Sequence, residues 1–363
     1  MKKKVVLCSP TSEDFRGVVK ADAKQLGRYL PPLGLLLVAQ TLKNAGYDVR
    51  FYDGNFNFDY KRDMADYVSS NKNEIIFIGI YLALLQVKDC IDMVGMVRSI
   101  DAGIPIVMGG PFPSAFPAIV MDSGMVDVCC VSDGAGIAPD IADSLAGGAG
   151  KLKGIPNIIF RESGRAIATP RTHRDTLTSG NRIFYENFLD LESYVKGFDT
   201  YIGRDHNPSV RRAMPILTGL GCSYKCAFCE NALLGHSHIS LPAADIVEQV
   251  ISYKERFGID SFAFFDEDFF ADKKRLFEFL EIINKKGLKI KWGTQSRVNY
   301  FSENYVNTKV LEELEKSGCI RISFGVESGS PRMLKKIKKG ITPEQVISAA
   351  ESGKRSGICF SYS

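Results

Sequence analysis

Short β-branched runs alternate with helix-spaced apolar segments along nearly the whole chain, in two successive series. The first series has strand-like runs at 5–8, 48–53, 74–80, 104–108 and 126–131, with helical patterns at 33–46, 59–71, 87–100 and 137–145. Asn44-Ala45-Gly46 closes the first helix with a residue that tolerates a left-handed cap. Repeated βα units of this kind imply a parallel sheet with helices on both faces. Ligands of such sheets bind outside the carboxyl ends of the strands. The loops expected there are Ser9-Pro10-Thr11, Asp53-Gly54-Asn55, Tyr81-Leu82-Ala83, Gly109-Gly110-Pro111-Phe112-Pro113 and Ser132-Asp133-Gly134-Ala135-Gly136. The second series places strands at 215–218, 261–265, 289–294, 320–324 and 358–363, with helices at 244–257, 273–286, 308–317 and 343–356. Between the two lies an irregular, polar stretch with a short hairpin (157–160 and 166–168), read as a connector over 151–210.

Composition narrows the classes. A chain of 363 residues is long enough for two domains with their own cores, and 45% apolar residues exclude a disordered or collagen-like chain. Forty-six basic and 42 acidic residues leave a net charge of only +4, which carries no nucleic-acid signature. The apolar run after Met1-Lys2-Lys3-Lys4 ends at Cys8, too short for a signal peptide. The longest apolar run, 75–85, falls short of the roughly 18 residues a membrane span needs. A soluble, cytoplasmic protein without nucleic-acid or membrane partners is the expectation.

Nine cysteines, an odd number in a chain this large, point to ligation rather than disulfides. Three of them form Cys222-Ser223-Tyr224-Lys225-Cys226-Ala227-Phe228-Cys229, directly after the first strand of the second series. This CxxxCxxC spacing suits an iron–sulfur cluster, where each thiolate reaches a different iron. Three ligands for a four-iron cluster leave one iron open to a small molecule. A zinc site wants a fourth ligand, for which His236 and His238 are candidates; they read more simply as exposed loop histidines. Cys8, Cys90, Cys129, Cys130, Cys319 and Cys359 lie in or beside apolar segments and read as packing. Lys335-Lys336-Ile337-Lys338-Lys339 reads as a solvated surface.

The cysteine loop, with Phe228 before its last cysteine, resembles the signature of the radical S-adenosylmethionine (SAM) superfamily. The resemblance implies that Cys222, Cys226 and Cys229 hold a [4Fe–4S] cluster whose fourth iron is chelated by the methionine end of SAM. Reductive cleavage of SAM would then yield methionine and a 5′-deoxyadenosyl radical. The resemblance further assigns SAM contacts to Phe228, to the acidic segment Asp266, Glu267 and Asp268, to Gln295 and Arg297, and to Glu327 and Ser328. Carboxylates are what an ammonium with three donors requires.

Ahead of such a domain, the first series resembles the cobalamin-binding module of the B12-dependent radical SAM class. Pro31-Pro32-Leu33-Gly34-Leu35, Asp53, Gly109-Gly110-Pro111 and Val126-Asp127 carry the likeness. It implies corrinoid contacts at Pro10, Thr11, Asp53, Tyr81, Gly109, Gly110, Pro111, Asp133 and Gly134. The stretch Asp53-Gly54-Asn55-Phe56-Asn57-Phe58 has no histidine, so the cobalt would lack that lower ligand. Phe112 and Ser132-Asp133-Gly134-Ala135 also depart from the residues that relatives often carry. A flavodoxin-like domain without a corrinoid stays open as the alternative.

The resulting expectation is an α/β protein in three parts. A doubly wound, Rossmann-like cobalamin domain over 1–150 and a connector over 151–210 lead to a radical SAM domain over 211–363. The last is a partial (β/α) barrel that stops at its fifth strand, as in a truncated chain. The expected reaction is methylation of an unactivated carbon by way of methylcobalamin, on an unidentified small-molecule or peptide substrate. A reductant such as flavodoxin or ferredoxin would supply the electron. Cyclisation, ring rearrangement or oxidation, radical SAM chemistry without cobalamin, and an iron–sulfur or corrinoid sensor are the alternatives.

Overall fold

A computed structural model describes residues 3–12, 30–57, 59–147, 149–172, 176–197, 210–231 and 238–363. The chain separates into two compact units: one formed mainly by residues 1–176, with 181–191, and one formed mainly by 192–363. Both are α/β with parallel sheets. Part of the stretch expected as connector, 173–175 and 198–209, lies outside the described residues.

The sheet of the first unit contains β1 (Lys4–Ser9), β2 (Asp48–Asp53), β3 (Ile75–Tyr81), β4 (Ile106–Gly109), β5 (Val128–Cys130), β6 (Ile158–Glu162) and β7 (Arg165–Ala168), in the order β2-β1-β3-β4-β5-β6-β7. Strands β1 to β5 pair in parallel, and β6 and β7 continue the sheet antiparallel. The hairpin expected in a connector is therefore part of this sheet, because Phe160, Ile159 and Ile158 pair with Val128, Cys129 and Cys130. Helices α1 (Leu33–Asn44), α2 (Tyr60–Asn71), α3 (Val87–Ile100), α4 (Pro111–Ala115), α5 (Pro117–Asp122) and α6 (Ala138–Ala146) cover it. Along β1, Val6 and Cys8 enter one core with Met64, Met93 and Val97, while Val5 and Leu7 enter another with Leu42, Ile137 and Ile141. Burial of alternate residues on opposite faces is what a doubly wound sheet requires. The loop expected at 109–113 winds instead into α4, with Pro111 in its first turn.

A short helix, α7 (Leu191–Gly197), precedes the second sheet. That sheet holds β8 (Ala213–Ile216), β11 (Ser261–Phe264), β12 (Lys291–Ser296), β13 (Cys319–Phe324) and β14 (Cys359–Tyr362), in the order β14-β13-β12-β11-β8 and parallel throughout. A separate two-stranded ribbon pairs β9 (Gly219–Leu220) with β10 (Ile239–Ser240). Helices α8 (Ala243–Phe257), α9 (Lys273–Lys286), α10 (Thr308–Lys316), α11 (Pro331–Lys336) and α12 (Pro343–Lys354) connect the strands. Gly258 and Gly287 close α8 and α9 in left-handed conformations, and Asp272, Asn307 and Thr342 cap α9, α10 and α12 from their side chains. Phe264, Phe269, Phe279 and Trp292 form a closed aromatic group, with ring centroids 5.0–5.7 Å apart. Among the described residues no helix is long and apolar enough to cross a membrane.

Candidate functional site

In the second unit the chain leaves β8 through Thr218 and the β9 ribbon and reaches Cys222 at the carboxyl end of the sheet. The segment after β11 meets it there. Asp266 accepts hydrogen bonds from the Thr218 and Gly219 amides at 2.8 and 2.7 Å, from the Thr218 hydroxyl, and from the Arg275 guanidinium at 3.1 Å. A Cβ on Gly219 would sit 2.7 Å from the Asp266 carboxylate, so only glycine allows this approach. Asp266 and Arg275 are both buried, and their pairing fixes the loop that leads to the cysteines. The lone pairs of Asp266 are thus engaged by the protein.

Its neighbours point elsewhere. Glu267 accepts from the Gly221 amide at 3.1 Å, one residue before Cys222. Crowding by the protein pushes its carboxyl above the usual carboxylate range, although the side chain still meets water. Asp268 is fully buried, and burial raises it to about 6 against the opposing hydrogen bond from Tyr300. Its Oδ2 takes the Tyr300 hydroxyl at 2.8 Å and lies 3.8 Å from the Cys222 sulfur, whereas Oδ1 is buried without a hydrogen-bond partner among the described residues.

Arg297, after β12, is buried with Nη1 3.8 Å from the Cys226 sulfur and its guanidinium 3.4 Å from the centre of the Tyr224 ring. Tyr224 is held in turn by the Asn299 amide at 2.9 Å. Gln295 is exposed at the same strand end. Phe228 is 55% exposed. After β13, Glu327 adopts a left-handed backbone (φ 69°) and pairs with Lys339 at 3.2 Å, while the Ser328 hydroxyl accepts from the Ser330 amide. The expectation for Lys339 is corrected. It is only 7% exposed, its ammonium sits 5.7 Å from the centre of the Phe228 ring, and its carbonyl accepts from Arg297. The Ala227 amide donates to the Ile337 carbonyl at 2.9 Å. The end of the lysine run is therefore stitched to the cysteine loop.

His238 is half-buried rather than exposed; burial and the Arg275 guanidinium hold it below the usual histidine range. His236 lies outside the described residues. Tyr300 and Arg275 have no place in the sequence reading, and Tyr224 and Lys339 enter it only as parts of the cysteine motif and of the lysine run. The only sequence signal for them is position, just after strands or near the cysteines.

The loop suits a [4Fe–4S] cluster by its donor set: Cys222, Cys226 and Cys229 come from one turn and lie in no disulfide. Among the described residues no three His, Cys, Asp or Glu side chains gather as the ligands of a single ion would. Cluster ligands each bind a separate iron and have no need to converge on one point.

In the first unit the expected contacts lie at the carboxyl edge of the sheet. The Thr11 amide donates to buried Asp89 at 2.8 Å and its hydroxyl to the Gly54 carbonyl at 2.9 Å. Asp89 also accepts from Tyr60 at 2.6 Å and pairs with Lys61 at 2.6 Å. Gln86 bonds the Pro10 carbonyl at 2.6 Å, and the Leu82 amide bonds the Gly109 carbonyl at 2.9 Å. Asp53 is buried and accepts from the Asn55 amide, and Asp133 accepts from Ala135 and Thr176. Thr11 and Asp53 thus brace the loops. Tyr81, Gly109, Gly110, Pro111, Asp133 and Gly134 remain partly open. Leu84 and Leu85, in the turn after β3, and Phe116, between α4 and α5, are exposed apolar side chains. A glycine-bearing backbone edge together with apolar side chains fits a large ring with amide substituents. No histidine stands in 53–57 to reach a cobalt.

Comparison with known proteins finds a match in each unit. Residues 19–142 match the B12 binding domain and residues 216–362 the Radical SAM superfamily. The first match falls largely on the first unit and the second on the second unit. It is 28% identical to an uncharacterized methyltransferase of Pyrococcus horikoshii over 364 residues, covering 98% of this chain and 72% of the relative. It shares its fold with the radical SAM methyltransferase TsrM of Kitasatospora setae, solved with tryptophan and a SAM analogue, at a TM-score of 0.77, 17% identity and 99% and 67% coverage. It likewise shares the fold of OxsB, solved with aqua-cobalamin and SAM, at a TM-score of 0.77, 20% identity and 99% and 49% coverage. The chain spans about half to three quarters of the length of these proteins.

Proposed function

We propose that this chain works as a cytoplasmic cobalamin-dependent radical SAM methyltransferase that modifies an unactivated carbon of a small-molecule or peptide substrate. The observation that carries this reading is the junction at the carboxyl end of the second sheet. There the CxxxCxxC loop is hydrogen-bonded to the segments after β11 and β13 and lies against Arg297, after β12.

In this reading Cys222, Cys226 and Cys229 hold the cluster. When bound, it supplies one electron to the sulfonium of SAM, breaking a carbon–sulfur bond to give methionine and a 5′-deoxyadenosyl radical. Glu267 and the unpartnered Asp268 Oδ1 accept the ammonium of SAM, and Tyr300 holds the Asp268 carboxylate in place. Asp266 and Arg275 fix the loop from behind. Arg297, Gln295, Glu327 and Ser328 offer polar groups to the carboxylate and ribose, and Phe228 shields the loop. Cobalamin, when bound, supplies the methyl group; Tyr81, Gly109, Gly110, Pro111, Asp133 and Gly134 line its site, and Pro10, Thr11 and Asp53 support it.

Anaerobic reconstitution with iron, sulfide and hydroxocobalamin tests this. SAM and a strong reductant should give 5′-deoxyadenosine, and stoichiometric cobalamin should stay with the chain through gel filtration. Replacing the three cysteines with alanine should abolish the product and the visible absorbance of the cluster. Product formation by that triple variant overturns the assignment of the cluster. Product without retained cobalamin leaves a radical SAM enzyme of the non-corrinoid kind.

A further inference from the structure

Between Pro331 and Pro343 the chain carries five basic residues and no acidic one, in a protein whose charges otherwise nearly balance. Of the five, only Lys339 turns inward, to Glu327. Arg332, Lys335, Lys336 and Lys338 are exposed, and among the described residues they make no ion pair. Their position gives them meaning: the Ile337 carbonyl accepts from Ala227, between two of the three cysteines, and a Cβ on Gly340 would lie 3.9 Å from the Tyr224 ring. Lys225, in the cysteine loop itself, is also exposed. A groove of about 590 Å³ opens beside Lys335 and Lys338 at the start of α12, with Glu344 as its acidic member.

We propose that Arg332, Lys335, Lys336 and Lys338, together with Lys225, form the docking surface for an acidic one-electron carrier protein. This rests on the radical SAM reading above. A patch of one sign speeds encounter with a partner of the opposite sign and orients it, and tunnelling demands that the carrier come close to the cysteine loop. One electron leaves the carrier's reduced cofactor, the carrier is oxidised by one equivalent, and the cationic SAM that accepts the electron is cleaved to neutral methionine and the 5′-deoxyadenosyl radical.

The test uses the reconstituted full chain with two donors: a reduced acidic flavodoxin, and photoreduced 5-deazariboflavin, which is small and neutral. Flavodoxin binding is followed by fluorescence anisotropy, and 5′-deoxyadenosine is measured with each donor. With flavodoxin, the rate and affinity should fall about tenfold or more when salt rises from about 20 to about 200 mM. The variant R332E/K335E/K336E/K338E should lose at least as much with flavodoxin and keep its rate with the deazaflavin. The milder K335Q/K336Q/K338Q should show the same pattern more weakly, which covers failure of the reversed variant to fold. K285E/K286E, on α9, should behave like the unsubstituted chain. Unchanged flavodoxin binding in the patch variants, or an equal loss with both donors, overturns the proposal. If the unsubstituted chain gives no product with either donor, the radical SAM reading itself fails and the docking proposal falls with it.

Discussion

Asp266 and Asp268 are two residues apart and equally buried, yet they do opposite things. Asp266 is saturated by two amides, a hydroxyl and Arg275, while Asp268 keeps one oxygen without a partner. Removing the carboxylate from Asp266 leaves Arg275 buried and uncompensated, so Asp266→Ala should cost about 3–5 kcal/mol in urea unfolding. Asp268→Asn should instead leave unfolding nearly unchanged and weaken SAM binding at least tenfold, measured by equilibrium dialysis. The thiols divide in a similar way. Burial pushes Cys90 and Cys129 up to about 12 and raises Cys8, Cys130 and Cys319 as well. Alkylation depends on the thiolate. Iodoacetamide at pH 8 on the cluster-free chain should therefore label the half-buried Cys229 and Cys359 first, with Cys222, which burial also raises, and the buried Cys226 slower. Mass spectrometry should find the other five protected.

At the scale of elements, the loops at the strand ends were legible and their internal wiring was not. Strand-end segments announce themselves because a β-branched run stops and glycine, proline or carboxylate follows. The three cysteines stand out by spacing alone. Lys339 was unreadable because its partner, Glu327, takes a left-handed backbone that no local pattern demands. The hairpin of β6 and β7 was seen as a hairpin but not as part of the first sheet, since its pairing with β5 is made across about 30 residues of chain. Helices α4 and α5, only five and six residues long, carry too few turns for a period to show. Wiring of this kind can be tested at Gly54. A Cβ there would lie 2.6 Å from the Tyr60 ring and 2.8 Å from the Thr11 amide. Gly54→Ala should force the loop after β1 away from Asp89 and lower cobalamin retention about tenfold. SAM cleavage with a chemical reductant should be unaffected.

At the scale of the whole molecule, the two units place their candidate sites at the same end of their own sheets, the carboxyl end, as parallel sheets generally do. Each ligand should therefore leave its own footprint. In hydrogen exchange, cobalamin should protect the turns after β1, β3 and β4, and SAM added to the cluster-loaded chain should protect 217–229, 265–269 and 325–329. Protection of either set by the wrong ligand would contradict the division of labour. The β6–β7 hairpin bears on how the first unit could be handled alone. Strand β5 is only three residues long and fully buried, with Val128, Cys129 and Cys130 all paired to β6. A chain cut at 150 would bare that row of amides and carbonyls as an open, apolar template for strand addition, the usual seed of aggregation. A cut placed beyond Thr172, whose amide bonds the Asn157 side chain, keeps β7 as the outermost strand, short and largely exposed, with Arg165 at its start. Solubility of an isolated cobalamin unit should turn on those 22 residues.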